Sequence, residues 1–183
     1  MNRDEAVELV RSNVERQSVF RHMLAVEAIM KALAEYLRED ASLWAMTGLL
    51  HDIDYEKTAD NFEKHGVLAR KTLKGKAPEQ VVRAIEAHNY EHSGVRPETS
   101  LEKGLLASDA VSGLVIACAL VMPSKKVKDV KVKTVRKKFK DKDFARGADR
   151  ERIALCEELG VQKDKFFEIS LRGVQTVSQD LGI

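Results

Sequence analysis

An all-α fold, a compact helical bundle, is what this sequence predicts, on three observations. Apolar residues recur at helical spacing through most of the chain. Leu, Ala, Val, Lys and Glu dominate while aromatics reach only 5%, a balance that favours helices over a strand-rich sandwich. The 183 residues suit one domain with a small appendage, and 44% hydrophobic with 33% charged residues fills a core without approaching a disordered composition. The expectation is a soluble globular protein.

Ala6, Leu9, Val10 and Val14 mark a first helix, and Phe20, Met23, Leu24, Ile29, Met30, Leu33, Ala34 and Leu37 a second, from near Ser18. A third is expected from Leu43 to about Ile53, with Ser42 as its N-cap. Trp44, Ala45, Met46, Leu49 and Leu50 cover most of its circumference, as in a central helix, and its end carries His51 and Asp52. Asp54 to Lys64 reads as a loop, His65 to Lys74 as a helix broken at Gly75, and Pro78 to about Asn89 as a helix with proline at its first position. A loop holds His92, Ser93, Gly94 and Pro97; the longest helix then runs from Leu101 to Met122 with Asp109 inside it. Val132, Val135 and Phe139 allow a helix with one apolar stripe, although alternation at Val130 and Val132 leaves a strand open. Two last helices, Arg150 to Leu159 and Asp164 to Leu181, stop at Gly160 and Gly182. The chain therefore divides into residues 1–124 and a C-terminal helical extension, 125–183, packed on the same domain.

Net charge is +2, which gives no global pull toward nucleic acid or membrane. The distribution is uneven: Lys125 to Arg146 holds eleven basic and three acidic residues, so that segment is +8 and the remainder −6. A lysine run is ordinarily a solvated helix face, and with Phe139 and Phe144 its only aromatics, nucleic acid is not expected as a partner. Arg146, Arg150 and Arg152, near Gly147-Ala148, would suit phosphate contact or serve as surface arginines. The longest apolar run, Gly113 to Met122, is about half a membrane span. The charged N-terminus does not read as an export signal, and Cys118 and Cys156 read as free thiols in a reducing cytoplasm. Phosphate-binding glycine loops, nucleophile elbows and Cys-X-X-Cys motifs are absent.

Of five histidines, His22, His51, His65 and His88 fall at or near helix positions. Singly, each is an ordinary structural residue. Together with carboxylates they offer the nitrogen and oxygen ligands that suit Mn, Fe, Co, Ni or Zn. His51 and Asp52, at a helix terminus, can turn toward one centre. His22 and Asp109 interrupt otherwise apolar helices, and an Asp within Leu105-Leu-Ala-Ser-Asp-Ala-Val demands a cation or donors.

The order His22, His51-Asp52, Asp109, with Leu49-Leu50-His51-Asp52-Ile53 and Ala107-Ser108-Asp109-Ala110 around it, resembles the HD-domain superfamily of metal-dependent phosphohydrolases over about residues 18–122. The resemblance implies a helical bundle of the HD type. It also implies a dinuclear site: His22, His51, Asp52 and Asp109 on one divalent transition metal, His65 and His88 on a second, with Asp52 bridging and Mg allowed in the substrate complex. Two such cations clamp attacking and leaving oxygens and lower the pKa of water toward about 7. The implied reaction is hydrolysis of a small phosphoester, a nucleotide or related phosphate, by metal-activated water. Where many members read His-Asp-Ile-Gly-Lys, this chain continues Asp54-Tyr55-Glu56-Lys57. Asp54, Glu56 and Lys57 are candidate catalytic helpers beside Asp52, and Asn89, His92 and Arg146 candidate substrate contacts; a His-His pair and Gly-Tyr-Pro, marks of the cyclic-dinucleotide enzymes, are missing. A mixed-valence diiron oxygenase or a non-catalytic metal or ligand-binding protein would use the same ligand set. The oligomeric state is left open.

Overall fold

Eleven α-helices follow one another in the computed structural model, which describes residues 1–183, and no strand is present. α1 (Arg3–Arg11) opens with a reciprocal cap: Glu5 N donates to Asn2 Oδ1 at 3.0 Å and Asn2 N to Glu5 Oε2 at 2.8 Å. α2 (Gln17–Leu37) is buried along most of its length and packs against α3 (Ala41–Leu50). The cap of α3 is Asp40 rather than Ser42. Its Oδ1 accepts from Ser42 N and Leu43 N, each at 3.0 Å, and a carboxylate there also meets the positive end of the helix. α3 stops at Leu50, three residues before the expected Ile53, and turns carry the chain through residues 51–57.

A single 3₁₀ turn, Phe62–Lys64, precedes α4 (Val67–Leu73), so His65 and Gly66 stand ahead of that helix instead of starting it. α5 (Glu79–Ala87) follows Pro78, and one turn of helix, α6 (Tyr90–Ser93), replaces the expected loop. α7 (Ser100–Leu120) opens on the Thr99/Glu102 capping box. By length and composition it is apolar enough to cross a membrane, yet most of it is buried, with α2, α5, α9 (Arg150–Ala154) and α10 (Lys163–Thr176) among its neighbours. Before those last two comes α8 (Val132–Lys140), where the helical stripe prevails over strand alternation because Val135 enters the core. α9 runs on as a 3₁₀ turn to Gly160, and the final helix breaks at Val177 into α10 and α11 (Ser178–Leu181).

One hydrophobic cluster of 45 buried residues runs from Ala6 to Leu181, so Val127, Val130, Val135, Phe166 and Phe167 of the C-terminal segment share the core of the first helices. Gly48 sets the crossing of α3 on α2. A Cβ there would lie 2.8 Å from Val26 O and 2.9 Å from Glu27 Cα, so only glycine lets α3 lie on α2 at this distance. The end of α3 that follows Gly48 is thereby pressed against the α2 residues that carry His22.

Candidate metal centre

Six side chains from separate parts of the chain meet at one end of this packing. His22 comes from α2, His51 from the C-cap of α3, Asp52 from the turn after it, His65 from the approach to α4, His88 from the C-cap of α5, and Asp109 from the middle of α7. Asp52 is the centre. Its Oδ1 lies 3.3 Å from His65 Nε2, 3.5 Å from His51 Nε2 and 3.7 Å from His88 Nε2, while Oδ2 lies 3.7 Å from His22 Nε2. Asp109 Oδ1 stands 3.1 Å from His22 Nε2 and 3.8 Å from His51 Nε2. Two groups result, His22–His51–Asp52 and Asp52–His65–His88, and in each the ligand atoms fall within 4.8 Å of one another.

The outer nitrogens show that the set fits cations. His51 Nδ1 donates to Gly48 O at 2.8 Å and His88 Nδ1 to Ile85 O, because a carbonyl can only accept. His65 Nδ1 donates to the Asp54 carboxylate at 2.8 Å. Ser112 Oγ donates to Asp109 O at 2.8 Å and so receives the Nδ1 proton of His22 at 3.2 Å. All four rings therefore turn a lone-pair Nε2 inward in the neutral state. Those lone pairs oppose each other at 3.2 Å for His22 and His51, and at 2.8 Å for His65 and His88. With two carboxylates added, the centre is all acceptors, an arrangement that positive charge must complete.

The electrostatics agree. Burial by itself would raise the pKa of Asp52, but His51, His65, His88 and His22 outweigh it and hold the carboxyl well below its usual range. Asp109 is also lowered, burial being overcome by His22 and His51. For His65, burial opposes the charged form and Asp52 and Asp54 overcome it, raising the ring to about 9. Burial wins at His51, whose pKa is lowered despite Asp52 and Asp109.

A cleft of about 430 Å³ opens over the centre, walled also by Ser18, Tyr55, Phe62, Asn89, Gly147 and Arg152. Asn89 reaches it, but its Nδ2 is held by Phe62 O and His65 O at 3.0 and 3.1 Å. The other expected helpers and contacts are not among its walls. Asp54 is fully buried, accepting from His65 and from the N–H groups of Gly66 and Ala69 at 2.9 and 2.7 Å. Gly66 adopts φ +82°, which lets the chain bend so that both its N–H and the His65 ring face this carboxylate. Glu56 binds the backbone N–H groups of Glu15 and Arg16, Lys57 binds Asn13, and Arg146 is exposed beside Asp143. His92, exposed and outside the cleft lining, donates its Nδ1–H to Asn89 Oδ1 at 3.0 Å.

Sequence reasoning passed over Tyr55, Phe62 and Ser112. Ser112 had a signal, being three residues after Asp109 on the same helix face. Arg152, which had two readings, is the one guanidinium on the cleft wall. It donates to His88 O at 3.2 Å and to Glu91 at 2.9 Å.

Residues 19–114 match the family model described as HD domain. An alignment 100 residues long, which covers 52% of the chain, is 35% identical to ribonuclease Y of Syntrophomonas wolfei subsp. wolfei. That alignment spans only 18% of the ribonuclease's own length. No solved structure matches the chain. The matched region spans α2 to the middle of α7 and contains all six converging side chains, and on that match the chain belongs to the HD domain family, a superfamily of metal-dependent phosphohydrolases.

Proposed function

We propose that the chain hydrolyses a small phosphoester of the nucleotide type with two divalent transition metal ions. The observation that carries this reading is the acceptor-only centre around Asp52, with two opposed pairs of imidazole lone pairs. His22, His51, Asp52 and Asp109 would hold one ion, and Asp52, His65 and His88 the other. Bound there, divalent cations would polarise the phosphoryl oxygens and lower the pKa of water toward about 7.

The chain's own groups supply the rest. Gly48 O, Ser112, Asp54 and Ile85 O each fix one ring with its Nε2 inward, so little rearrangement accompanies loading. Arg152, paired with Glu91, brings a guanidinium to the wall that a substrate phosphate can meet. Phe62, 46% exposed and stacked on His65 at 4.9 Å between centroids, presents a flat apolar face of the kind a nucleobase covers. The relative's name, a ribonuclease, supports phosphoester chemistry on nucleotide units. The two buried, unpaired cysteines suit a reducing, cytoplasmic setting.

The test is phosphate release from nucleoside mono- and diphosphates with Mn, Co, Ni, Zn, Fe or Mg, run beside an oxygen electrode. Metal-dependent release that disappears in Asp52→Ala, with no oxygen uptake, is expected. Oxygen uptake with iron, or metal binding without hydrolysis of any substrate, overturns the reading.

A further inference from the structure

The basic segment becomes a different object once folded. Val127, Val130 and Val135 anchor it in the core, and this turns Lys125, Lys126, Lys128, Lys131, Lys133, Lys137, Lys140 and Lys142 outward. All eight are exposed and none forms an ion pair. Of the acids nearby, Asp141, Asp143 and Asp164 are paired with Lys138, Arg146 and Arg136, while Asp129, held by the Ser124 hydroxyl, keeps its charge. Eight unneutralised cations on one segment, in a chain whose remainder is −6, form a directed field rather than a merely solvated face.

This strip also leads to the cleft. The guanidinium of Arg150 donates to the carbonyls of Lys138, Phe139, Asp141, Phe144, Ala145 and Ala148, tying the end of α8 and the following loop into one knot. Gly147, inside that knot, lines the metal cleft, and so does Arg152, two residues beyond its centre. Gly147 and Arg152 also line an adjoining cavity of about 350 Å³ that shares His22 and Asp109 with the cleft. Two of that cavity's acids have partners: Glu91 pairs with Arg152, and Asp149 accepts from the N–H groups of Glu151 and Arg152. Cleft and cavity share His22, Asp109, Gly147 and Arg152, and Gly147 stands five residues after Lys142, the last lysine of the strip.

We infer that the lysine strip from Lys125 to Lys142 binds the phosphate backbone of a single-stranded nucleic acid and delivers one of its phosphoesters to the metal cleft. The inference names the substrate class of that cleft and rests on the hydrolase reading for cleavage alone. Binding is electrostatic and blind to sequence, because the strip offers cations and no free aromatic platform; Phe144 lies beneath Lys138.

The test is fluorescence anisotropy of a labelled oligouridylate with the full chain, in chelator to prevent turnover, at salt from about 50 to about 200 mM. The parent binds, with log affinity falling linearly in log salt. Lys133→Gln/Lys137→Gln/Lys140→Gln lowers affinity at least about tenfold and flattens the slope by about 2, since each single-strand phosphate contact contributes about 0.7. A control triple elsewhere, Lys31→Gln/Lys71→Gln/Lys74→Gln, leaves the slope within error. Absence of parental binding, equal losses in both triples, or binding to anionic lipid vesicles with none to the oligonucleotide overturns the inference. Binding without cleavage when metal is restored defeats the hydrolase reading and leaves the strip standing; hydrolysis of free nucleotides without strand binding does the reverse.

Discussion

The Nε2 atoms of His65 and His88 face each other at 2.8 Å, after each ring has committed its Nδ1 proton outward, to Asp54 and to Ile85 O. Two lone pairs at that distance repel unless a proton or a metal ion lies with them. Everything else at the centre follows the same rule, because Asp52 and Asp109 add only acceptors to it.

Metal content is the most direct consequence. Asp52, shared by both groups, is expected to abolish binding of both ions when replaced by alanine. His88→Ala leaves about one ion per chain where the parent holds about two, and His92→Ala matches the parent. Elemental analysis of the purified variants reads this, and equal losses in His88→Ala and His92→Ala would contradict it.

Asp54 is a positioning residue, and its substitution separates that role from a catalytic one. Asp54→Asn keeps the shape but weakens three hydrogen bonds, to His65, Gly66 and Ala69. The expected result is a loss of about 10–100-fold in metal affinity, measured by chelator competition. Urea unfolding should show a loss of about 1–3 kcal/mol even without metal. Unchanged metal affinity with reduced turnover would instead mark Asp54 as a participant in the chemistry.

Acid sensitivity should trace in part to Glu102. Burial alone would raise its pKa, but Arg83 and the N–H groups of Thr99 and Glu98 outweigh burial and lower it. The folded state thus favours the carboxylate more than the unfolded state does. The stabilisation is present above the ordinary glutamate range and is lost as pH falls through the folded value. Denaturation of Glu102→Gln across that window should show a lower stability at neutral pH and a shallower acid slope than the parent.

Both thiols should be silent in the native chain. Burial pushes Cys118 up to about 11 and Cys156 up to about 12, so at pH 8 neither offers thiolate. A thiol reagent is expected to titrate none in buffer and both after unfolding in urea. Rapid reaction of either in the folded chain would show that its helix opens easily.

The side chains that converge were legible because they break local rules: His22 and Asp109 sit in apolar helices, and His51-Asp52 ends one. A polar residue in an apolar stretch advertises its need for a partner. The surrounding roles were not legible in the same way. Asp54 looks like a helper beside Asp52, but the chain turns between them, so its carboxylate faces the backbone of α4. Ser42 is a fair cap by type; Asp40 takes the place because its oxygen meets two N–H groups. Phe62 and Arg152 become neighbours of the centre only through tertiary packing, which no local pattern encodes.

Gly48 joins two tasks in one peptide. Its missing side chain lets α3 cross α2, and its carbonyl holds the tautomer of His51. Assembly of the bundle and affinity for the cations are therefore one thermodynamic event. Each factor of ten in free metal concentration above the dissociation constant adds about 1.4 kcal/mol to the folded state. A mutation at this helix crossing, although Gly48 is no ligand itself, would be felt first as a weaker hold on the cations.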